Sequence, residues 1–202
     1  MAITLPSSQF PTSECEMGSS RDRAISVYPA RSIHIEELSD VLTRVFHPTA
    51  GVGVVILPFV RAGVREDLKR RMQRSAAQYR CLGAWQNARL IGTVEIGLRR
   101  ALGGDSDRRY PFIANLAVLP QHRHCGAARQ LLTTAENVVR TWGCPQIYLH
   151  VMEDNRPARM LYHRLGYRLW RSRRTIWTAL GCPRQLLLCK QLDTANARSS
   201  EN

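Results

Sequence analysis

The 202 residues carry 29 basic side chains against 16 acidic ones, a formal net charge of +13, and 44% of them are hydrophobic. That length and apolar share suit one domain with a sizeable core. No stretch approaches the roughly 18 uninterrupted apolar residues of a membrane span, since the longest run, residues 52–60, is broken by Gly53 and Pro58. The charge invites a nucleic-acid or ribosome reading, but only Lys69 and Lys190 are lysines. An arginine bias spread along a whole chain speaks for composition more than for a binding surface, and local concentrations stand out only at 61–74 and 168–174. A basic surface also attracts an anionic cofactor or an acidic peptide.

Residues 1–23 are polar, rich in Ser, Thr and Pro, and without hydrophobic period, so they read as a disordered tail. Glu14, Glu16 and Asp22 argue against a transit peptide. Residues 25–28 form a short strand candidate, and Ile35, Leu38, Leu42, Val45 and Phe46 place a first helix over 33–46. Glycine and proline make 47–58 a loop, after which 59–73 resumes helical spacing. Residues 79–85 and 89–98 are extended runs around 86–88, a hairpin, and 103–109 is a polar connection.

The second half changes rhythm. A strand over 112–118 ends at Pro120, and a helix over 126–142 presents Leu131, Leu132, Ala135, Val138 and Val139 on one face. Residues 143–145, Gly-Cys-Pro, stop it. A strand at 146–152, a helix from Asn155 to Gly166 and a last strand at 185–191 complete a mixed α/β sandwich. The domain therefore runs over 24–192, with a polar tail at 193–202.

Six scattered cysteines without a C-x-x-C pair suit a reducing compartment, which favours a cytoplasmic location. The histidines show no H-E-x-x-H spacing, so no metal is implied.

Chemistry concentrates in two segments. In the first, a buried strand runs into Arg123, His124, Cys125, Gly126, Ala127 and Ala128, which open directly into a helix. Small residues let a ligand approach the backbone, and free first-turn amides at the positive end of the dipole form an anion site. In the second, strand alternation sets Ile147, Leu149 and Val151 on one face and Tyr148, His150 and Met152 on the other. Asn155 caps the next helix, with Pro157 in its first turn and Ala158, Leu161 and Leu165 on its inner face beside Tyr162. Cys125 at a helix start is a conceivable nucleophile beside His122 or His124, but no orienting third group accompanies it.

Together the segments carry a resemblance. Val118, Pro120, Arg123, Gly126 and Ala128, read as V-x-P-x-x-R-x-x-G-x-A, resemble the acetyl-CoA signature of the GNAT superfamily of N-acetyltransferases. Asn155, Ala158, Leu161, Tyr162, Leu165, Gly166 and Tyr167 resemble its second signature. The close match covers about a third of the chain. It implies the acyl-CoA N-acyltransferase fold, a mixed sheet of about six to seven strands flanked by about four helices. It further implies that the backbone of Leu116, Ala117 and Val118 pairs with the pantetheine arm, that residues 123–128 hold the diphosphate, and that Asn155 touches the pantetheine. Tyr162 would protonate the leaving thiolate, and His150, twelve residues ahead of it, stands where relatives acting on protein N-termini carry a base.

The implied reaction is direct attack of an amine on acetyl-CoA in a ternary complex. An α-amine, with pKa about 7.7–8.0, is neutral at far less cost than a lysine near 10.4, the difference being about three pK units or roughly 4 kcal/mol. That asymmetry favours a protein N-terminus as acceptor, with lysine the alternative. The ending at 183–192 resembles plastid-type and related bacterial members, some acting on both, which makes the plastid stroma the alternative location. Residues 47–58, 79–98 and 167–183 surround the acceptor, with Trp170 and Trp177 as lining candidates. Two rival readings remain: an idle acetyl-CoA-binding sensor or adaptor, and a nucleic-acid- or ribosome-associated protein.

Overall fold

In the computed structural model the described residues are 24–46, 53–75, 77–100, 109–173 and 183–193. The expectations for residues 1–23, for the connection at 103–109 except its last residue, for Trp177 and for the tail from 194 onward lie outside them.

A short strand β1 (Ser26–Pro29) leads through a 3-10 turn into α1 (Ile35–Phe46), with Leu38, Val41 and Leu42 buried at helical spacing. The second helix, α2 (Gly53–Met72), starts within the expected loop. The apolar run after Gly53 supports helix through Pro58, whose missing N–H costs one bond near the helix start. Then β2 (Tyr79–Gln86) and β3 (Arg89–Arg100) form the hairpin, turning through Asn87 and Ala88 at φ 50° and 59°. Both central residues in the left-handed region define the turn type that matches strand twist.

β4 (Arg109–Val118) begins three residues earlier than the sequence pattern suggests, with Pro111 inside it opposite Leu98. There follow α3 (Ala127–Thr141), β5 (Gln146–Met152), α4 (Arg156–Arg164), β6 (Arg168–Arg173) and β7 (Gln185–Gln191). The seven strands make one sheet ordered β1-β2-β3-β4-β5-β7-β6. All neighbours are antiparallel except β4 and β5.

Each face of the sheet buries its own cluster. Leu131, Leu132, Ala135 and Val139 of α3 pack with Ile113, Leu149, Val151 and Tyr162 on one face. On the other, Leu38, Leu42 and Leu68 of α1 and α2 pack with Tyr79, Cys81 and Trp85. The inner stripe of α3 also includes Glu136, 4% exposed, whose carboxylate accepts from Lys190 Nζ of β7 at 2.6 Å.

Candidate active site

The decisive feature is where the sheet comes apart. The parallel pair β4 and β5 is registered only through Phe112 with Tyr148 and Ile113 with Leu149. Beyond that point β5 continues against β7, while β4 continues against β3. From Ala114 onward the β5-facing edge of β4 therefore borders a wedge-shaped gap, and its backbone groups are available to an extended ligand. Leu116, Ala117 and Val118 stand along this edge.

At the wide end of the gap the chain turns through Pro120–His122 and enters α3. His124 (φ 63°) and Gly126 (φ 88°) both lie in the left-handed region, and such turns point successive N–H groups to one side. The first intrahelical bond runs from Gln130 N to Gly126 O at 3.1 Å, leaving the amides of residues 126–129 without an intrahelical acceptor. Arg123, His124 and Cys125 are exposed, Ala127 is buried, and a Cβ placed on Gly126 would meet nothing within 4 Å. The result is an open, cationic cradle suited to a diphosphate. Cys125 Sγ donates to His122 O at 2.8 Å.

β5 and α4 supply the narrow end. His150 stands on the face shared with Tyr148 and Met152, its ring edge-on to Phe112 at 4.9 Å. Asn155 caps α4, its Oδ1 accepting from Ala158 N at 3.2 Å, so one part of its amide is committed to the helix. Tyr162 packs on the opposite face of the sheet, 5.8 Å from the Tyr167 ring and 7% exposed. Burial pushes its phenol up to about 12. Among the described residues nothing hydrogen-bonds its hydroxyl, yet that atom is not among the sealed, unpartnered ones. The ring is core and the O–H tip stays accessible. His150 and Tyr162 thus flank the sheet from opposite faces near the point where β4 and β5 part.

This set of features coincides with the findings from known proteins. Residues 55–167, more than half of the chain, match the model of the "Acetyltransferase (GNAT) family". The chain belongs to the GNAT family of acetyltransferases. GCN5-related N-acetyltransferase 6, chloroplastic, from Arabidopsis thaliana is 29% identical over 98 residues. That match covers 40% of this chain and 34% of the relative, so the chain spans about a third of that relative's length. The GNAT fold recurs in the PaiA N-acetyltransferase of Thermoplasma acidophilum, solved with coenzyme A, at TM-score 0.63, 18% identity and coverage of 83% of this chain and 99% of that one. Arabidopsis thaliana NAA60 in complex with a bisubstrate analogue gives TM-score 0.64 at 18% identity, covering 85% and 100% of the two chains.

The structure also shows what the GNAT signatures do not reveal. Glu95 of β3, 2% exposed, sits beside the gap on the α1/α2 face. It accepts from Tyr79 Oη at 2.7 Å and from Asn115 Nδ2 at 2.8 Å, and pairs with Arg71 Nη1 at 3.0 Å. A carboxylate between Val94 and Ile96, near the middle of β3, was the signal available in the sequence. A cavity of about 310 Å³ adjoins it, lined by Leu42, Phe46, Val64, Asp67, Arg71 and Asn115. Part of the basic concentration at 61–74 is locally neutralised: Arg61 and Arg65 pair with Glu36 and Asp40, and Arg71 with Asp67 and Glu95. Among the described residues no His, Cys, Asp and Glu group is arranged to hold a metal ion, and no helix is long and apolar enough to cross a membrane.

Proposed function

We propose that the chain transfers an acetyl group from acetyl-CoA to a primary amine, by preference the α-amine of a protein N-terminus, in a ternary complex. The observation that carries this reading is the gap between β4 and β5, bounded by an anion cradle at one end and by His150 and Tyr162 on opposite faces at the other. Residues 123–128 bind the diphosphate through main-chain amides. The pantetheine arm lies along Leu116, Ala117 and Val118 as an added strand, with Asn155 beside it. Tyr162 directs its O–H at the leaving sulfur. An ordinary thiol, near 8.5, is a stronger acid than a phenol at about 12, so Tyr162 stabilises the developing thiolate as a hydrogen-bond donor more readily than it surrenders the proton outright. His150, on the face lined by α1 and α2, accepts the amine proton directly or through a water.

The acceptor preference rests on the lower cost of neutralising an α-amine, and the NAA60 complex with a bisubstrate analogue supports an acceptor as well as a donor seat in this fold. The chloroplastic Arabidopsis relatives are compatible with the plastid stroma as the alternative to a cytoplasmic location. The test is a peptide-library acetylation assay with free or blocked N-termini, with and without an internal lysine. Acetylation confined to free N-termini is expected. Transfer to blocked, lysine-containing peptides at equal rate would reassign the acceptor, and binding of acetyl-CoA without transfer to any peptide would favour the sensor reading.

A further inference from the structure

The buried carboxylate beside the gap lacks an obvious reason to be there. At strand centre an aliphatic side chain would pack without the desolvation penalty of a charge, yet Glu95 is kept and given three donors: Tyr79, Arg71 and Asn115. Asn115 is the informative partner. It occupies the left-handed region at φ 51° inside a strand, a conformation uncommon for any non-glycine residue, which asparagine tolerates better than most and which tertiary contacts then fix. The β3/β4 register breaks at this place: Thr93 faces Ala117 while Glu95 faces Ala114, so Asn115 and Leu116 together stand opposite Val94. Two residues later towards the N-terminus, Ile113 pairs with Leu149 and closes the gap.

Resting on the acetyl-transfer reading, the position of this kink has a consequence. The arm enters from the α3 cradle and runs past Val118, Ala117 and Leu116, so its thioester end arrives at Asn115 and Ala114. Asn115 also lines the cavity of about 310 Å³ on the α1/α2 face, together with Phe46, Asp67 and Arg71. One residue thus borders both the donor's end and a cavity that could admit the amine. We propose that Glu95 is a positioning residue: by holding Asn115 in its left-handed conformation it fixes the kink of β4 at which acetyl donor and amine meet. Glu95 does not touch the reacting atoms; it acts through Asn115.

The mechanism predicts a rescue. Glycine adopts positive φ unaided, so Gly at 115 removes the need for the clamp. Glu95→Leu should lower kcat by about tenfold to a hundredfold, the scale of a misplaced reacting group, with the calorimetric Kd for coenzyme A changing less than threefold. Glu95→Leu with Asn115→Gly should recover most of the lost kcat. A purely structural role predicts the reverse, because glycine in a strand weakens it further. Should Glu95→Leu fail to fold, Asn115→Ala against Asn115→Gly decides the matter: alanine should lose at least tenfold more turnover than glycine. Equal turnover of those two, a double variant no faster than Glu95→Leu, or wild-type kcat in Glu95→Leu each overturns the inference while leaving wild-type transfer, and hence the proposed function, intact. A wild-type chain that binds acetyl-CoA but transfers nothing overturns both.

Discussion

The Tyr162 ring is part of the core, whereas the service of its hydroxyl to the gap belongs to the proposed mechanism, and the two roles can be separated. Tyr162→Phe keeps the ring and should lower kcat by about tenfold or more, with the Kd for acetyl-CoA within threefold of wild type; stopped-flow turnover and calorimetry read the two quantities. Because burial raises the phenol to about 12, Tyr162 stays protonated through the working range, so any acidic limb in kcat/KM belongs to another group. We assign that limb to His150. His150→Ala should depress kcat/KM about tenfold to a hundredfold near pH 7 and flatten the limb. The loss should shrink as pH passes the α-amine's own pKa, about 7.7–8.0. A folded variant with the wild-type pH profile would move the base elsewhere. At this scale strand alternation placed His150 on the face it occupies and the helix start placed Asn155 as its cap, while Tyr162 as a site residue, and the roles of all three, came from the GNAT resemblance. A carboxylate between two apolar residues marked Glu95 as unusual, but its meeting with Tyr79 and Asn115 was hidden, because it depends on contacts between residues 16 and 20 apart in the chain.

Among the elements, α3 and its approach were legible, since Gly126 at φ 88° and the small residues after it are a local signal. The kink in β4 was not, because a bulge is a property of two strands in register rather than of one. The start of α2 was hidden for a related reason: Pro58 and the glycines read as a loop, while the apolar residues between them favour helix. A pair of substitutions tests the cradle as a helix-start anion site. Gly126→Ala must adopt a left-handed φ, costing roughly 1–2 kcal/mol, but its methyl group meets open space; the Kd for acetyl-CoA should rise only a few-fold. Gly126→Trp should weaken binding by at least about 100-fold, since its indole occupies the diphosphate's approach. Equal affinities by calorimetry for the two variants would place the diphosphate elsewhere.

For the molecule as a whole, net charge proved a weak guide and buried acids a stronger one. Several arginines of α2 answer acids of α1 and α2, which the bare count of +13 conceals. Inside, Tyr79, Tyr167, Tyr162 and Cys81 are all raised, chiefly by burial, the last two to about 12 from ordinary values of 10.0 and 9.0. A raised native pKa stabilises the fold fully below the unfolded value and is lost as pH rises towards the native one. Stability should therefore hold below pH about 9 and fall steeply between about 9 and 12, with Tyr162 alone accounting for about 2–3 kcal/mol; urea midpoints at a series of pH values read this directly, and a flat profile to pH 11 would refute it. Lys190→Met should also destabilise, by about 3–5 kcal/mol, because Glu136 is then left charged and buried. The fold class was readable in the sequence because element order and the two signatures agree, whereas the separation of β4 from β5 appears only in their pairing. That separation is what the functional reading depends on. Hydrogen exchange of the wild-type protein with and without acetyl-CoA examines it most directly: protection is predicted at the amides of 116–118 and 123–128, with β1 unchanged, and a bound cofactor that leaves 116–118 exchanging as in the free protein would contradict the account.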